Sequence, residues 1–216
     1  MLIYDEAQTG LGKLGTTFGY QIYIVQPDIL TISKHLGGGL TVSATVTTDA
    51  IAEPAIANGF TCGHSHSSDP LACKAGAASI DEIVENDLPK RALQIRRLWQ
   101  DKMRVLQQRY EVIGDIRGRG LLQGGELVRD RRTKEPAAEL AANIYRQSMA
   151  DGLMFSVCGR HKNVLRSVPP FSSTDEQIEN ATEILGSAIR NRSASGDGHA
   201  VVDLTSQVEG TRIVLL

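Results

Sequence analysis

Short hydrophobic runs near the start of the chain give way to longer segments in which hydrophobic residues recur every three or four positions. Residues 2–4 and 29–33 are continuous hydrophobic runs, which are typical of parallel strands buried on both faces. Residues 40–47 alternate hydrophobic and polar positions and predict another strand. The Gly- and Thr-rich segment 9–18 lies between the first two strands and predicts a loop.

Helical spacing begins at residues 70–84, which predict a helix with Asp69 as its N-cap and Pro70 at its first position. Residues 88–110 predict a longer second helix that turns its basic residues outward. A solvated face explains those basic residues better than an anionic partner does. The inward positions of this helix are predicted to be Leu93, Leu98 and Leu106.

Farther along the chain, strands interrupted by glycine are followed by helices and two short strands. The last helix begins with acidic residues, and Ser173 or Thr174 is its predicted cap. This order of elements predicts a parallel α/β portion first and an α+β portion from about residue 90. The predicted strands are 112–127, 154–157 and 163–168, and the predicted helices are 137–152 and 175–190.

Composition and charge narrow the class of protein. The 216 residues are enough for one or two domains with a hydrophobic core. A net charge of −2 without a basic stripe argues against a nucleic-acid partner. No hydrophobic run approaches the ~20 residues of a membrane span, and no signal peptide is visible, so we expect a cytoplasmic protein, with a mitochondrial location left open. The cysteines lack metal-ligand spacing and are predicted to be reduced thiols: Cys62, Cys73 and Cys158.

One lysine and one aspartate each follow a predicted strand directly. Lys34 ends the run 29–33, and Asp5 ends the run 2–4. Such a pair suits a pyridoxal phosphate (PLP) enzyme, in which the lysine amine forms a Schiff base with the cofactor aldehyde and the carboxylate keeps the pyridine nitrogen protonated. From spacing alone, a solvated strand end and a glycine turn at residues 37–39 are the commoner explanation.

The residues around this pair form long, ordered motifs. Segment 5–15, DEAQTGLGKLG, resembles the D-E-x-Q-T-G-x-G-R-x-G motif of class III (omega) aminotransferases. Segment 27–39 resembles that family's P-D-I/L-x-x-x-S/A-K motif followed by G-G-G, although Thr41 stands where a proline is usual. The resemblance continues to about residue 192, with GHS at 63–65, GDIRGRGL at 114–121, and VLR at 164–166 before two prolines.

The resemblance implies an α/β protein of fold type I, the PLP-dependent transferases. Lys34 would be the Schiff-base lysine and the catalytic base. Asp5 would hold the ring nitrogen, and Gln8 would approach the phenolic oxygen of PLP. Ser65 would reach the phosphate of the neighbouring site in a homodimer, and Arg166 would pair with the substrate α-carboxylate. In the same family, the arginine at position 117 is more often structural.

Only the C-terminal half of the family pattern is matched. Residues 1–89 would be the end of the large PLP-binding domain, and residues 90–192 the small α+β domain. Residues 193–216 are predicted to be a disordered tail. The phosphate cup and the aromatic ring that stacks on the cofactor are expected in the half that is not matched.

The predicted reaction is transfer of an amino group from an amine or amino acid to a 2-oxo acid. Residues 68–71 and 117–136 look closest to 2,2-dialkylglycine decarboxylases, so decarboxylation-dependent transamination is an alternative. In that case Asp69 would help to bind an alkali cation, in competition with its N-cap role. A metal site at His64 and His66 is disfavoured because further ligands are lacking.

Two other classes of function are weighed against an enzyme. A catalytically incompetent fragment that only dimerises is favoured by the unmatched phosphate cup and disfavoured by the intact Asp5, Gln8 and Lys34. A nucleotide-binding protein is disfavoured because residues 37–39 do not fit G-x-G-x-x-G or a P-loop.

Overall fold

The computed structural model describes residues 1–61, 63, 65–194 and 214–215. By their internal contacts the residues form two compact units, Met1–Ala92 and Leu93–Leu216. The first unit holds every predicted cofactor residue, and the second holds Arg166. Across the described ranges, no helix is both long enough and apolar enough to cross a bilayer.

The first unit is built on a three-stranded sheet in the order β1-β2-β3. The first two strands run parallel, and the third is antiparallel to β2. The strands are β1 (Ile3–Asp5), β2 (Ile29–Ile32) and β3 (Ala44–Thr47). The helices are α1 (Tyr20–Tyr23), a 3₁₀ turn (Lys34–Gly37), α2 (Asp49–Ala57) and α3 (Pro70–Glu85). The sequence predicted the strands and α3 but not α1, the 3₁₀ turn or α2.

A small hydrophobic core lies against one side of β2. It consists of Leu11, Leu30, Ile32, Leu36 and Ile83, with Val42 and Ala44 packed beside it. The expectation that β1 is buried was wrong, because Ile3 is 58% exposed. The physical reason is that β1 is an edge strand with β2 as its one neighbour in the described sheet.

The start of α3 follows its predicted cap. Asp69 Oδ1 accepts hydrogen bonds from the backbone N–H groups of Leu71 and Ala72, at 3.0 and 3.2 Å. Pro70 occupies the first turn, where its missing N–H costs nothing. The N-cap interpretation of Asp69 is therefore confirmed.

The second unit carries an antiparallel sheet in the order β4-β5-β9-β8, and β6 pairs with β5. Helix α4 (Leu88–Arg109) begins before the unit boundary and ends within this unit. The strands are β4 (Ile113–Arg119), β5 (Leu122–Asp130), β6 (Glu135–Pro136), β7 (Leu153–Met154), β8 (Ser156–Cys158), β9 (Val164–Ser167) and β10 (Val214–Leu215). The other helices are α5 (Ala138–Ala150) and α6 (Asp175–Ala194).

The buried face of α4 differs from the predicted one. Ile95, Trp99 and Met103 are each about 1% exposed, whereas Leu93 and Leu98 are only partly buried. The buried residues lie four positions apart and form one continuous stripe, and the two leucines flank it. The prediction followed leucine alone and missed the Ile95, Trp99 and Met103 side chains beside it.

The end of α4 is fixed by Arg131, which follows β5. Its guanidinium donates to the carbonyl oxygens of Gln107 and Tyr110 in the last turn of the helix. It also donates to the carbonyl oxygens of Glu111 and Ile113, at 3.1 and 3.2 Å. These bonds satisfy carbonyl groups that a helix leaves without internal partners.

The β4–β5 hairpin depends on a glycine. Gly118 has φ +152°, and a Cβ atom there would lie 2.2 Å from Leu122 O. The predicted cap of α6 is confirmed for Thr174, since Thr174 and Gln177 exchange hydrogen bonds of 2.9 and 3.1 Å in a capping box.

The predicted tail, residues 193–216, lies largely outside the described residues. Ser193 and Ala194 continue α6, and Val214–Leu215 pair in parallel with Leu153–Met154. The predicted domain boundary near residue 90 stays a prediction beside the contact boundary after Ala92.

Candidate active site

Asp5 and Lys34 come from two neighbouring parallel strands. In the register of β1 and β2, Asp5 pairs with Thr31, and Lys34 follows three residues later. Both side chains therefore leave the carboxyl ends of paired parallel strands, which is where α/β sheets place their ligand sites. Each of these two residues is solvent-exposed within the described chain.

The backbone at Lys34 has an unusual conformation. Lys34 has φ +49°, in the left-handed region that non-glycine residues rarely adopt, and it opens the 3₁₀ turn. Gly38 closes that turn with φ +55°. Conformations of this kind cluster at functional sites, because they aim a side chain that regular structure would point elsewhere.

A cavity of about 310 Å³ lies beside Lys34. Its lining combines polar and hydrophobic groups, with Thr41 and Ser43 beside Leu40 and Val42. The cavity lining consists of Ser33, Lys34, Gly39, Leu40, Thr41, Val42 and Ser43.

The Asp5 carboxylate is oriented through one of its two oxygens. Oδ1 accepts from Ala7 N at 3.0 Å and from Thr31 Oγ1 at 3.2 Å. Within the described residues, no hydrogen bond reaches Oδ2. A carboxylate held by one oxygen keeps the other one available for a cationic N–H group.

Glu6 is a functional residue that the sequence analysis did not single out. It is 2% exposed, and its carboxylate accepts from Thr9 Oγ1, Gly19 N and Tyr20 N at 2.7 to 2.9 Å. A Cβ at Gly19 would lie 2.9 Å from Glu6 Oε2, so a larger residue there would press against the carboxylate. Glu6 thus ties the loop after Asp5 into one conformation. Its place directly after Asp5 in the D-E motif was the available signal.

Two basic residues, Lys13 and His35, shape the electrostatics near Lys34. Lys13 is 4% exposed, and burial lowers the pKa of its amine to about 8. Burial, followed by the charges of Lys13 and Lys34, lowers the pKa of His35 to about 4. His35 is therefore neutral at pH 7, and it adds no positive charge beside Lys34.

The structure gives less detail for the two other predicted cofactor residues, Gln8 and Ser65. Gln8 is partly buried in the loop after Asp5, and Ser65 is exposed in a turn before α3. His64 and Cys62 lie outside the described residues. In the described part of the chain, no three His, Cys, Asp or Glu side chains converge on one point. The alkali-cation role of Asp69 stays a prediction. Cys73 and Cys158 are free thiols.

Arg166 lies on β9 in the second unit, between β5 and β8. Its Nη2 contacts Ser156 Oγ at 3.5 Å, and its buried Nε has no hydrogen-bond partner among the described residues. Arg117 differs, because its Nη1 donates to Asp115 and Glu126 at 2.8 and 2.5 Å. These bonds raise the pKa of Arg117, which is consistent with the structural role expected for it.

Comparison with known proteins gives a consistent result. The family model "Aminotransferase class-III" matches residues 1–189. The chain is 38% identical to a leucine/methionine racemase of Thermococcus litoralis, over 88% of this chain and 42% of the racemase. It is 33% identical to a 5-aminovalerate aminotransferase of Pseudomonas aeruginosa, over 86% of this chain and 43% of that protein. The chain thus spans less than half the length of these relatives.

Solved structures agree with the sequence relatives. A Bacillus anthracis aminotransferase superposes with a TM-score of 0.80 at 30% identity, over 88% of this chain and 44% of that one. A transaminase solved with L-alanine superposes with a TM-score of 0.82 at 29% identity, over 90% of this chain and 47% of that one.

Proposed function

Because this chain belongs to the class III aminotransferase family, we propose that it contributes the lysine half of a PLP-dependent aminotransferase site. The reaction would move an amino group from an amine or amino acid to a 2-oxo acid. The observation that carries this proposal is the placement of Asp5 and Lys34 at the carboxyl ends of two paired parallel strands. Bound PLP would supply the electron sink for the substrate Cα.

The described residues fit the cofactor. Asp5 Oδ1 is held by Ala7 and Thr31, and its Oδ2 remains open toward a protonated ring nitrogen. A fixed negative charge at that place stabilises the protonated nitrogen. Gln8, in the same loop, would offer an amide to the phenolic oxygen without adding charge. Glu6 keeps this loop in place by its three hydrogen bonds.

Lys34 would be the residue that accepts and donates protons during the reaction. Its amine would take the proton released at the substrate Cα and return it during turnover. The neighbouring His35, with a pKa of about 4, stays neutral and adds no positive charge beside the amine. The left-handed backbone at Lys34 is the expected sign of a side chain aimed for such work.

Arg166 would bind the carboxylate of the substrate. Its partly buried guanidinium forms no ion pair within the described residues, which is costly for a cation. A carboxylate ligand would offset that cost with charge-assisted hydrogen bonds. The racemase relative is named for leucine and methionine, both amino acids, and this supports a substrate that carries an α-carboxylate.

Decarboxylation is an alternative to plain amino transfer. Decarboxylation-dependent transamination would use a cation at Asp69, whose Oδ1 accepts hydrogen bonds from two backbone N–H groups. This cap occupies one of the two carboxylate oxygens, so decarboxylation stays an alternative to plain amino transfer. We further propose a homodimer in which Ser65 serves the neighbouring site; its exposed position before α3 is compatible with that role.

Reductive labelling tests the cofactor proposal. The chain is incubated with PLP, reduced with borohydride and mapped by peptide mass. We expect the pyridoxyl group on Lys34, loss of that label in Lys34→Ala, and lower occupancy in Asp5→Asn. The exposed Lys74 on α3 reports non-specific labelling. A label spread equally over Lys34 and Lys74 would contradict the proposal. Specific labelling without amino transfer from alanine to 2-oxoglutarate would favour the catalytically incompetent alternative.

A further inference from the structure

We propose that Ser156 is a second carboxylate-binding residue. It acts together with Arg166 and selects substrates that present a carboxylate. This inference rests on the proposed function of Arg166. It assigns to Ser156 a role that the sequence did not suggest.

The sheet register fixes the pair. Ser156 on β8 and Arg166 on β9 are directly opposed in the antiparallel ladder. Opposed residues of such a ladder have their side chains on the same face, with Cβ atoms roughly 4.5–5.5 Å apart. The contact between Ser156 Oγ and Arg166 Nη2 is 3.5 Å, which is long for a hydrogen bond and leaves room to tighten.

On the other side of Arg166, strand β5 presents no side chain that could compete with Ser156. On β5 the residue paired with Arg166 is Gly124. A Cβ at Gly124 would lie 3.2 Å from Val164 Cγ1 and 3.8 Å from Arg117 O, with no Arg166 atom within 4 Å. Strand β5 therefore places no side chain opposite Arg166, and Ser156 is the residue opposed to it on β8.

The electrostatics of the guanidinium indicate an anionic ligand. Arg166 Nε is buried without a partner, and no carboxylate of the described residues forms an ion pair with this arginine. Arg117, on the same sheet, shows the contrasting case, because Asp115 and Glu126 already occupy it. An arginine whose charge is satisfied internally is a poor receptor, whereas Arg166 retains donors for a bidentate carboxylate.

A serine hydroxyl has the chemistry needed for a second contact with the carboxylate. It can accept a hydrogen bond from Arg166 Nη2 through a lone pair, and at the same time it can donate its own proton to a carboxylate oxygen. The carboxylate would then be bound by the arginine fork and by one neutral donor. A neutral ester would lose the charge that this arrangement recognises.

The test uses the whole chain without cofactor and follows the Arg166 Nε–H resonance by NMR, assigned through its loss in Arg166→Lys. Pyruvate is the probe, and methyl pyruvate is the uncharged control. We expect pyruvate to shift the resonance in a saturable way, and methyl pyruvate to leave it unmoved. Ser156→Ala should raise the pyruvate Kd by about tenfold, as expected for one lost hydrogen bond to a charged group.

Two further variants separate a ligand role from a structural one. Ser156→Thr keeps the hydroxyl and should restore the Kd to within about twofold. Ser172→Ala removes an exposed hydroxyl elsewhere in the second unit and should change nothing. A Kd in Ser156→Ala equal to that of the original chain would overturn the role of Ser156 and leave Arg166 intact. A resonance that pyruvate does not move in the original chain would overturn the carboxylate site itself.

Discussion

Thr31 Oγ1 donates a hydrogen bond of 3.2 Å to Asp5 Oδ1, across the register pair that joins β1 to β2. The same oxygen accepts from Ala7 N at 3.0 Å, so the carboxylate is held from its own loop and from the neighbouring strand. Holding one oxygen from two sides fixes the direction of the other. Thr31 is therefore a positioning residue for the proposed contact between Asp5 and the ring nitrogen.

Replacing Thr31 by valine tests this relationship. Valine keeps the shape and the strand propensity of threonine but removes the donor. We expect the PLP Kd to rise by about two- to fivefold, the lower part of the range for one hydrogen bond at an exposed site. PLP absorbance titration measures the change. Thr45→Val, at the position paired with Thr31 on β3, is the matched control and should leave the Kd unchanged. An equal loss in both variants would mean that the sheet, and not Asp5, is affected.

The parts of the fold that the sequence predicted share a local cause. Helix α3 follows from Asp69 and Pro70, and α6 follows from the Thr174–Gln177 box, because caps act within one turn. The pairing of Asp5 with Lys34 was predictable because each ends a short run, and parallel strands present their carboxyl ends at one edge.

The parts that were not predicted depend on contacts distant in sequence. Glu6 was overlooked because the Gly19 and Tyr20 amides that it binds lie 13 and 14 residues away. The buried stripe of α4 depends on which face meets the sheet, and leucine spacing alone did not identify it. Ser156 faces Arg166 only through the β8–β9 register, which no local pattern encodes.

Glu6→Gln should loosen the loop that carries Asp5 and Gln8. The glutamine amide has one acceptor oxygen in place of two, so it cannot accept from Gly19, Tyr20 and Thr9 as the carboxylate does. We expect the free energy of opening this loop to fall by about 1.5–3 kcal/mol, the range for hydrogen bonds to a charged group. Amide hydrogen exchange at Gly19 and Tyr20 measures it directly.

The control for this variant is Glu53→Gln on the exposed side of α2. It removes one negative charge from the same unit without touching the loop, and should leave exchange at Gly19 and Tyr20 unchanged. Protection that survives Glu6→Gln would show that the turn is held by its backbone alone.

Protonation of His35 should destabilise the first unit in mild acid. The folded pKa is about 4, and the ordinary value is 6.5. Between these two values the unfolded chain binds more protons than the folded chain does, so stability falls as pH is lowered through this window. The contribution is fully present above about pH 6.5 and is lost progressively toward pH 4. His35→Gln should flatten this part of a plot of melting temperature against pH.

Lys13 supplies the sharper form of the same test, because burial of His35 and the charge of Lys13 are the two largest causes of the lowered pKa. Lys13→Met keeps a long side chain in the buried position and removes the charge, so the NMR titration midpoint of the His35 ring should move upward from about 4. Lys74→Met removes an exposed lysine from the same unit and should leave the midpoint in place. A midpoint unchanged in Lys13→Met would mean that burial accounts for the shift without help from the Lys13 charge. A midpoint near 6.5 in the original chain would contradict the partly buried position of His35 beside Lys34.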